Sequence, residues 1–185
     1  RTDTDVRKYE SCSQNGKKAG SHAAITGDTI ASNLANAKIV CGSPGDPNPI
    51  YTGNNYHVEI DKWNENYNNA FDWENIHAVT TGNNLDSRGW RVAISDNGNY
   101  VLYSAPRSDD GATDAGQIKL LYGTSTYSLQ TGTSTINGSQ AGEECGSDIA
   151  ISGSGRIIAM YCQGYDFYND GDFINIGRTK IFINK

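Results

Sequence analysis

No stretch of this 185-residue chain approaches the roughly 20 consecutive apolar residues that a bilayer-spanning helix requires, and its most apolar run, Arg156 to Cys162, has the length of a strand. A helical membrane span is therefore not expected. A basic surplus is also missing: 15 Lys and Arg face 21 Asp and Glu, for a formal net charge of -6 and a pI near 4.9. Without that surplus few counterions can be released from a phosphate backbone, so nucleic acid is not an expected partner. A single Met and 19% charged residues stand against 21 Gly and 11 Tyr, a balance that argues against an all-α fold. No two cysteines have the C-x-x-C spacing of zinc or thioredoxin chemistry; Cys12, Cys41, Cys145 and Cys162 lie far apart and read as structural disulfides. The chain begins at Arg1 without the charged-then-apolar pattern of a signal peptide, which points to a removed leader or an excerpt of a longer parent. The even cysteine count, the Gly, Asn, Ser, Thr and Tyr content and the sequon Asn137-Gly138-Ser139 together point to a secreted or cell-surface protein, glycosylated at Asn137.

What is present is a repeat. Gly89-Trp90-Arg91-Val92-Ala93-Ile94-Ser95-Asp96-Asn97-Gly98 matches Gly146-Ser147-Asp148-Ile149-Ala150-Ile151-Ser152-Gly153-Ser154-Gly155 at a constant offset of 57 residues. Each continues into a second apolar run, Tyr100 to Ala105 or Arg156 to Cys162. An acidic loop follows, and then a glycine opens a third run: Gly116 to Tyr122 in one copy and Gly177 to Ile183 in the other. A looser copy lies upstream, with Gly20 to Gly27, then a hairpin lengthened by Thr29 to Asn36, then Ala37 to Pro44 and Gly53 to Ile60.

Short or alternating apolar runs bounded by Gly, Asn and Asp read as antiparallel strands. Asp96-Asn97-Gly98 and Gly153-Ser154-Gly155 supply the hairpin turns. Ala70 to Thr80 and Tyr127 to Ile136 are candidate fourth strands. Four strands per repeat at this period is the pattern of propeller blades. The glycine, the Ala-Ile-Ser strand, the hairpin, the Ser104-Ala105-Pro106 or Gly42-Ser43-Pro44 ending and the Gly-opened strand resemble FG-GAP repeats, the blades of integrin-alpha-type β-propellers. The third copy departs from that pattern at Tyr161-Cys162-Gln163.

The expected fold is thus all-β: three four-stranded antiparallel propeller-like blades, too few to close a ring within one chain. They form a single β-repeat domain over residues 1–185, with copies at about 11–80, 81–137 and 138–185. Asp3 to Glu10, within residues 1–10, reads as a closing strand for an otherwise unpaired edge; the competing reading is a frayed terminus. An end blade with nothing beside it exposes a large apolar face. The expected partner is therefore a second copy of the chain, in an oligomer or filament, or the rest of a longer parent.

In an antiparallel hairpin turning near Gly153 to Gly155, residues whose numbers total about 307 face one another, as Cys145 and Cys162 do. Cys12 with Cys41 follows by elimination; buried free thiols and intersubunit bonds are the alternatives. The resemblance implies calcium loops of the D-x-[DN]-x-[DN]-G type, which neither hairpin matches. Asp109, Asp110 and Asp114 gather before Gly116, and Asp166, Asp170 and Asp172 before Gly177; each cluster is a calcium candidate whose competing reading is a solvated acidic loop. Catalysis is not expected. His22, His57 and His77 are isolated, no nucleophile elbow or phosphate loop is present, and adjacent Asp109 and Asp110 make a poor glycosidase pair. Trp63, Tyr67, Phe71 and Trp73, together with Tyr165, Phe167 and Tyr168, read first as core, second as subunit interface and third as a sugar-stacking site. In that third reading Trp63, Tyr67, Tyr165 and Tyr168 would bind glycans. The leading expectation is a non-catalytic extracellular structural or adhesion module. The alternative is a carbohydrate- or ligand-binding propeller.

Overall fold

Alternating side chains between turn-forming clusters build strands throughout the computed structural model, which describes residues 22–26, 37–44, 57–67, 70–79, 86–129, 134–169 and 172–184. Strands β1 (His22–Ile25), β2 (Lys38–Ser43), β3 (His57–Tyr67) and β4 (Ala70–Val79) form the first sheet in that order. The second runs β5 (Val92–Ile94), β6 (Tyr100–Ala105), β7 (Gln117–Gly123) and β8 (Tyr127–Leu129), and β9 (Thr135–Asn137) also pairs with β7. After β10 (Cys145–Ile151) and β11 (Ile157–Cys162), the strands β12 (Asp166–Asn169) and β13 (Asp172–Asn175) make a separate hairpin before β14 (Arg178–Ile183). The third sheet is β10-β11-β14. All pairings between these strands are antiparallel, and among the described residues no sheet closes into a barrel. The fold is all-β with incomplete propeller-like blades, as the strand pattern predicts.

The repeat holds at the level of register. Ala23↔Cys41, Val92↔Tyr103 and Ile149↔Met160 occupy corresponding places, as do Lys38↔Lys62, Tyr100↔Tyr122 and Ile157↔Ile183. Even the hairpin closure recurs. The hydroxyls of Thr26, Ser95 and Ser152 accept the backbone N–H of Lys38, Tyr100 and Ile157 at 3.2, 3.0 and 2.9 Å. A hydroxyl residue at the end of each first strand thus satisfies the amide that opens the second.

The third strand of the first copy, expected over Gly53 to Ile60, is described from His57, which its register aligns with Gln117; Gly53 lies outside the described residues. Three details correct the sequence-based expectations. Tyr127 to Ile136 is not one strand: β8 pairs with Leu121 to Gly123 and β9 with Gln117 to Lys119, so the two share one edge of β7. The acidic segment between β11 and β14 is a hairpin instead of a loop, with Asp166 opposite Asn175 and Asn169 opposite Asp172. Lastly, Cys145 faces Cys162, but from Asp148↔Tyr161 onward the register is shifted by a bulge across Gly146 and Ser147, made by a glycine at φ +93°. The closing strand expected at Asp3 to Glu10 lies outside the described residues.

Each sheet packs face to face on the next, β5 against β1 and β2, and β10 against β5, β6 and β7. Alternation on β6 sends Val101 and Tyr103 into one core, with Val40, Val58 and Ile60 of the first sheet, and Leu102 into another. That second core joins Leu102, Ile118 and Leu120 to Ile158, Met160 and the two cysteines. Lys38 fastens the first pair of sheets: its buried ammonium donates to the carbonyl oxygens of Gly98 (3.1 Å) and Thr124 (2.7 Å) and to the Tyr127 hydroxyl (3.0 Å). Burial, and then the charge of Lys62, lowers its pKa. Lys38→Ala should cost about 3 kcal/mol in chemical denaturation, because buried carbonyls lose a charged donor; a loss within error of zero would show that water replaces the ammonium.

Candidate functional site

The third sheet has one face on the second core and one that, among the described residues, no other strand covers. Its registers place Ile157↔Ile183, Ala159↔Ile181 and Tyr161↔Thr179 on the same face, directly opposed across β11 and β14. Their counterparts in the second sheet are Tyr100↔Tyr122, Leu102↔Leu120 and Ser104↔Ile118. Packed against the third sheet, Leu102, Ile118 and Leu120 are 0, 1 and 3% exposed. On the third sheet, Ile157, Ile181 and Ile183 are 52, 62 and 70% exposed. Exposed Ile and Tyr side chains stand side by side on this face, and burying each Ile would stabilise a contact by roughly 1.5 to 3 kcal/mol.

Behind this face lies an ionic cluster that holds the sheet in shape. Glu143 is fully buried; its carboxylate pairs with Arg178 and, at 3.0 Å, with Lys180, and accepts the backbone N–H groups of Ser139 (2.6 Å) and Gln140 (3.2 Å). Burial by itself would raise its pKa, but these donors hold the carboxyl down at about 2. Arg178 also lies over the Tyr165 ring at 3.8 Å, and Lys180 reaches the Cys145 sulfur at 3.5 Å. The Cys145–Cys162 disulfide therefore sits in the same cluster, between the first two strands of the third sheet. Glu143, Cys145 and Cys162 are, among the described residues, the group of three ligating side chains whose donor atoms converge within 4.8 Å. The disulfide leaves no thiolate and the two cations occupy the carboxylate, so the cluster serves structure rather than metal binding.

Of the aspartates read from the sequence, the described Asp109, Asp110 and Asp114 do not converge in this way. Asp109 accepts the Asp114 N–H (2.8 Å) and Asp110 accepts the Gln117 amide (2.8 Å), contacts that shape their own loop. Asp166 lies in β12 and its N–H donates to Gln140 (3.3 Å); Asp172 is in β13, and Asp170 lies outside the described residues. Cys41 is disulfide-bonded, while its expected partner Cys12 lies outside the described residues. Asn137 is exposed at the end of β9, where an acceptor asparagine must be. Of the aromatic set, Trp63 is buried edge-on against Trp73 (5.5 Å) and Tyr165 lies under Arg178, whereas Tyr168 is open on the β12–β13 hairpin. Tyr67 pairs with Ala70 at the end of the β3–β4 hairpin.

A cavity of about 410 Å³ between β4 and β8 was not foreseen; His77, Arg88, Tyr103, Lys119 and Tyr127 line it with Leu121. Burial lowers the pKa of His77, and burial followed by the charge of Arg88 lowers that of Lys119. The residues that sequence reasoning missed are Lys38 and Glu143, charged and buried, and the half-buried Arg178 and Lys180 that pair with Glu143. No family model matches the chain, and no curated protein matches it. Among the described residues, no helix is long and apolar enough to cross a membrane.

Proposed function

We propose that this chain is a non-catalytic, extracellular assembly module of FG-GAP-like blades, a structural or adhesive subunit that associates through the open face of its third sheet. One observation carries the reading: Ile181 is largely exposed, whereas Leu120, at the same place in the second sheet, is buried by the sheet that follows it. The bonded cysteine pair fits an oxidising, secreted setting, and the exposed Asn137 sequon fits glycosylation there. Replacing Ile181 and Ile183 together by Lys should abolish association in sedimentation velocity without changing the far-ultraviolet circular dichroism. Association that survives both substitutions would refute this use of the face.

A carbohydrate- or ligand-binding role is the second reading, and the cavity between β4 and β8, with its Tyr, His and Lys groups, is what favours it. A glycan-array binder whose signal falls on Tyr103→Phe would support it. An array without binders would leave assembly alone.

A further inference from the structure

Resting on the ligand-binding reading, we infer that the cavity between β4 and β8 is a site for an acidic sugar, held by its carboxylate. Strand register explains why a cavity stands there. Tyr103 is directly opposite Lys119, and Leu121 follows two residues on, so all three share one face of the second sheet. Along the edge of β7 the partner changes between these last two: Lys119 pairs with Thr135 of β9, and Leu121 with Leu129 of β8. On the other side β4, at the edge of the first sheet, supplies His77 and Val79. The volume of about 410 Å³ falls within the range of roughly 300 to 1,000 Å³ usual for small-molecule sites.

Three polar groups of its lining are unsatisfied. Tyr103 is 3% exposed, yet among the described residues nothing hydrogen-bonds to its hydroxyl. The Lys119 ammonium likewise has no ion pair or hydrogen bond there, and the His77 ring has only the Tyr127 ring beside it, at 5.9 Å. Secluded donors of this kind cost stability until a partner enters. Charge decides which partner. Arg88 lines the same cavity, and its charge acts on both Lys119 and the Tyr103 hydroxyl. None of the lining residues is acidic; of the carboxylates that Lys119 also feels, Asp86 pairs with Arg88 at 3.6 Å and Asp110 accepts the Gln117 amide at 2.8 Å. Lysine, arginine and histidine without a facing carboxylate are complementary to an anion. The body of the ligand follows from the remaining lining. Tyr103, His77 and Ser128 offer hydrogen bonds that an apolar body would strand, while Leu121, Leu129 and the Tyr127 ring offer an apolar wall. A sugar ring has a C–H face for the wall and hydroxyls for the polar groups, and a carboxylate on that ring meets Lys119.

The probes are glucuronate and glucose, titrated at pH 7 into the full-length chain while its amide resonances are followed by NMR. Glucuronate should bind with a dissociation constant of about 1 mM, at least about 10-fold more tightly than glucose, and its affinity should fall as salt is raised. Lys119→Gln removes the charge from a side chain that has no partner to lose. It should weaken glucuronate about 10-fold and leave glucose unchanged. Equal binding of the two sugars would overturn the acidic specificity and leave the ligand-binding reading standing. Binding of neither would overturn this site, whereas the wider reading falls only with a glycan array that has no binders. Glucuronate binding that a folded Lys119→Gln leaves unchanged would show that the sugar sits elsewhere. Should that variant fail to fold, wild type alone decides: glucuronate affinity that does not respond to salt would overturn recognition by charge.

Discussion

Replacing Glu143 by Gln is expected to lower the unfolding free energy by about 3 kcal/mol at neutral pH, and two arguments converge on that size. The first is structural: the side chain is fully buried, and removing its charge strands Arg178 and Lys180, whose side chains are 32 and 18% exposed. Breaking a buried pair costs about 3 to 5 kcal/mol, and partial hydration of both cations keeps this one near the low end. The second is linkage. A carboxyl held at about 2 against an ordinary value of 4.5 contributes stability that is fully present above about pH 4.5 and is lost as pH falls through 2. The gap between wild-type and variant melting temperatures should therefore be wide at pH 7 and close by pH 2. A gap that persists at pH 2 would mean that packing, not charge, holds the cluster.

Gly116→Ala should be more damaging, costing upwards of about 4 kcal/mol or preventing folding, because strain and collision act together. Gly116 has φ +78°, and a Cβ there would run into the carbonyl oxygen of Cys145, approach its amide nitrogen to 2.5 Å and stand 2.7 Å from the Pro106 carbonyl oxygen. Every obstacle is backbone, so no side chain can turn aside. The position is also a junction: Gly116 makes a parallel bridge to Cys145, donates its N–H to the Ser108 carbonyl at 2.9 Å and accepts from the Gly138 N–H at 2.7 Å. Gly142→Ala is the control. It has φ +72° and nothing within 4 Å of a new Cβ, so only the conformational cost of about 1 to 2 kcal/mol applies. Equal denaturation midpoints for the two variants would contradict the described contact between the second and third sheets.

The strands and their repeat were legible because they are written locally. A two-residue alternation, a glycine and a hydroxyl at fixed places are required by a hairpin wherever it sits, as Thr26, Ser95 and Ser152 show. The packing between sheets was not legible. Lys38 and Glu143 look like surface charges in sequence, and only the approach of Gly98 and Thr124 to one, and of Arg178 and Lys180 to the other, hides them. The Cys145–Cys162 bond shows both sides of this boundary. Hairpin counting found the pair, but the bulge at Gly146 means that the counting rule does not hold along the rest of β10 and β11. Likewise the hairpin of β12 and β13 could not be told from a loop, because acidic and aromatic residues there follow no period that marks a buried face.

The open face of the third sheet was predictable only as a consequence of three blades being too few; its residues became visible through register. The measurement that tests its use most directly is the mass of the unmodified chain by sedimentation equilibrium across micromolar concentrations under oxidising conditions. Association through this face predicts species heavier than the 20.0 kDa chain. A chain that stays at 20.0 kDa throughout would contradict it.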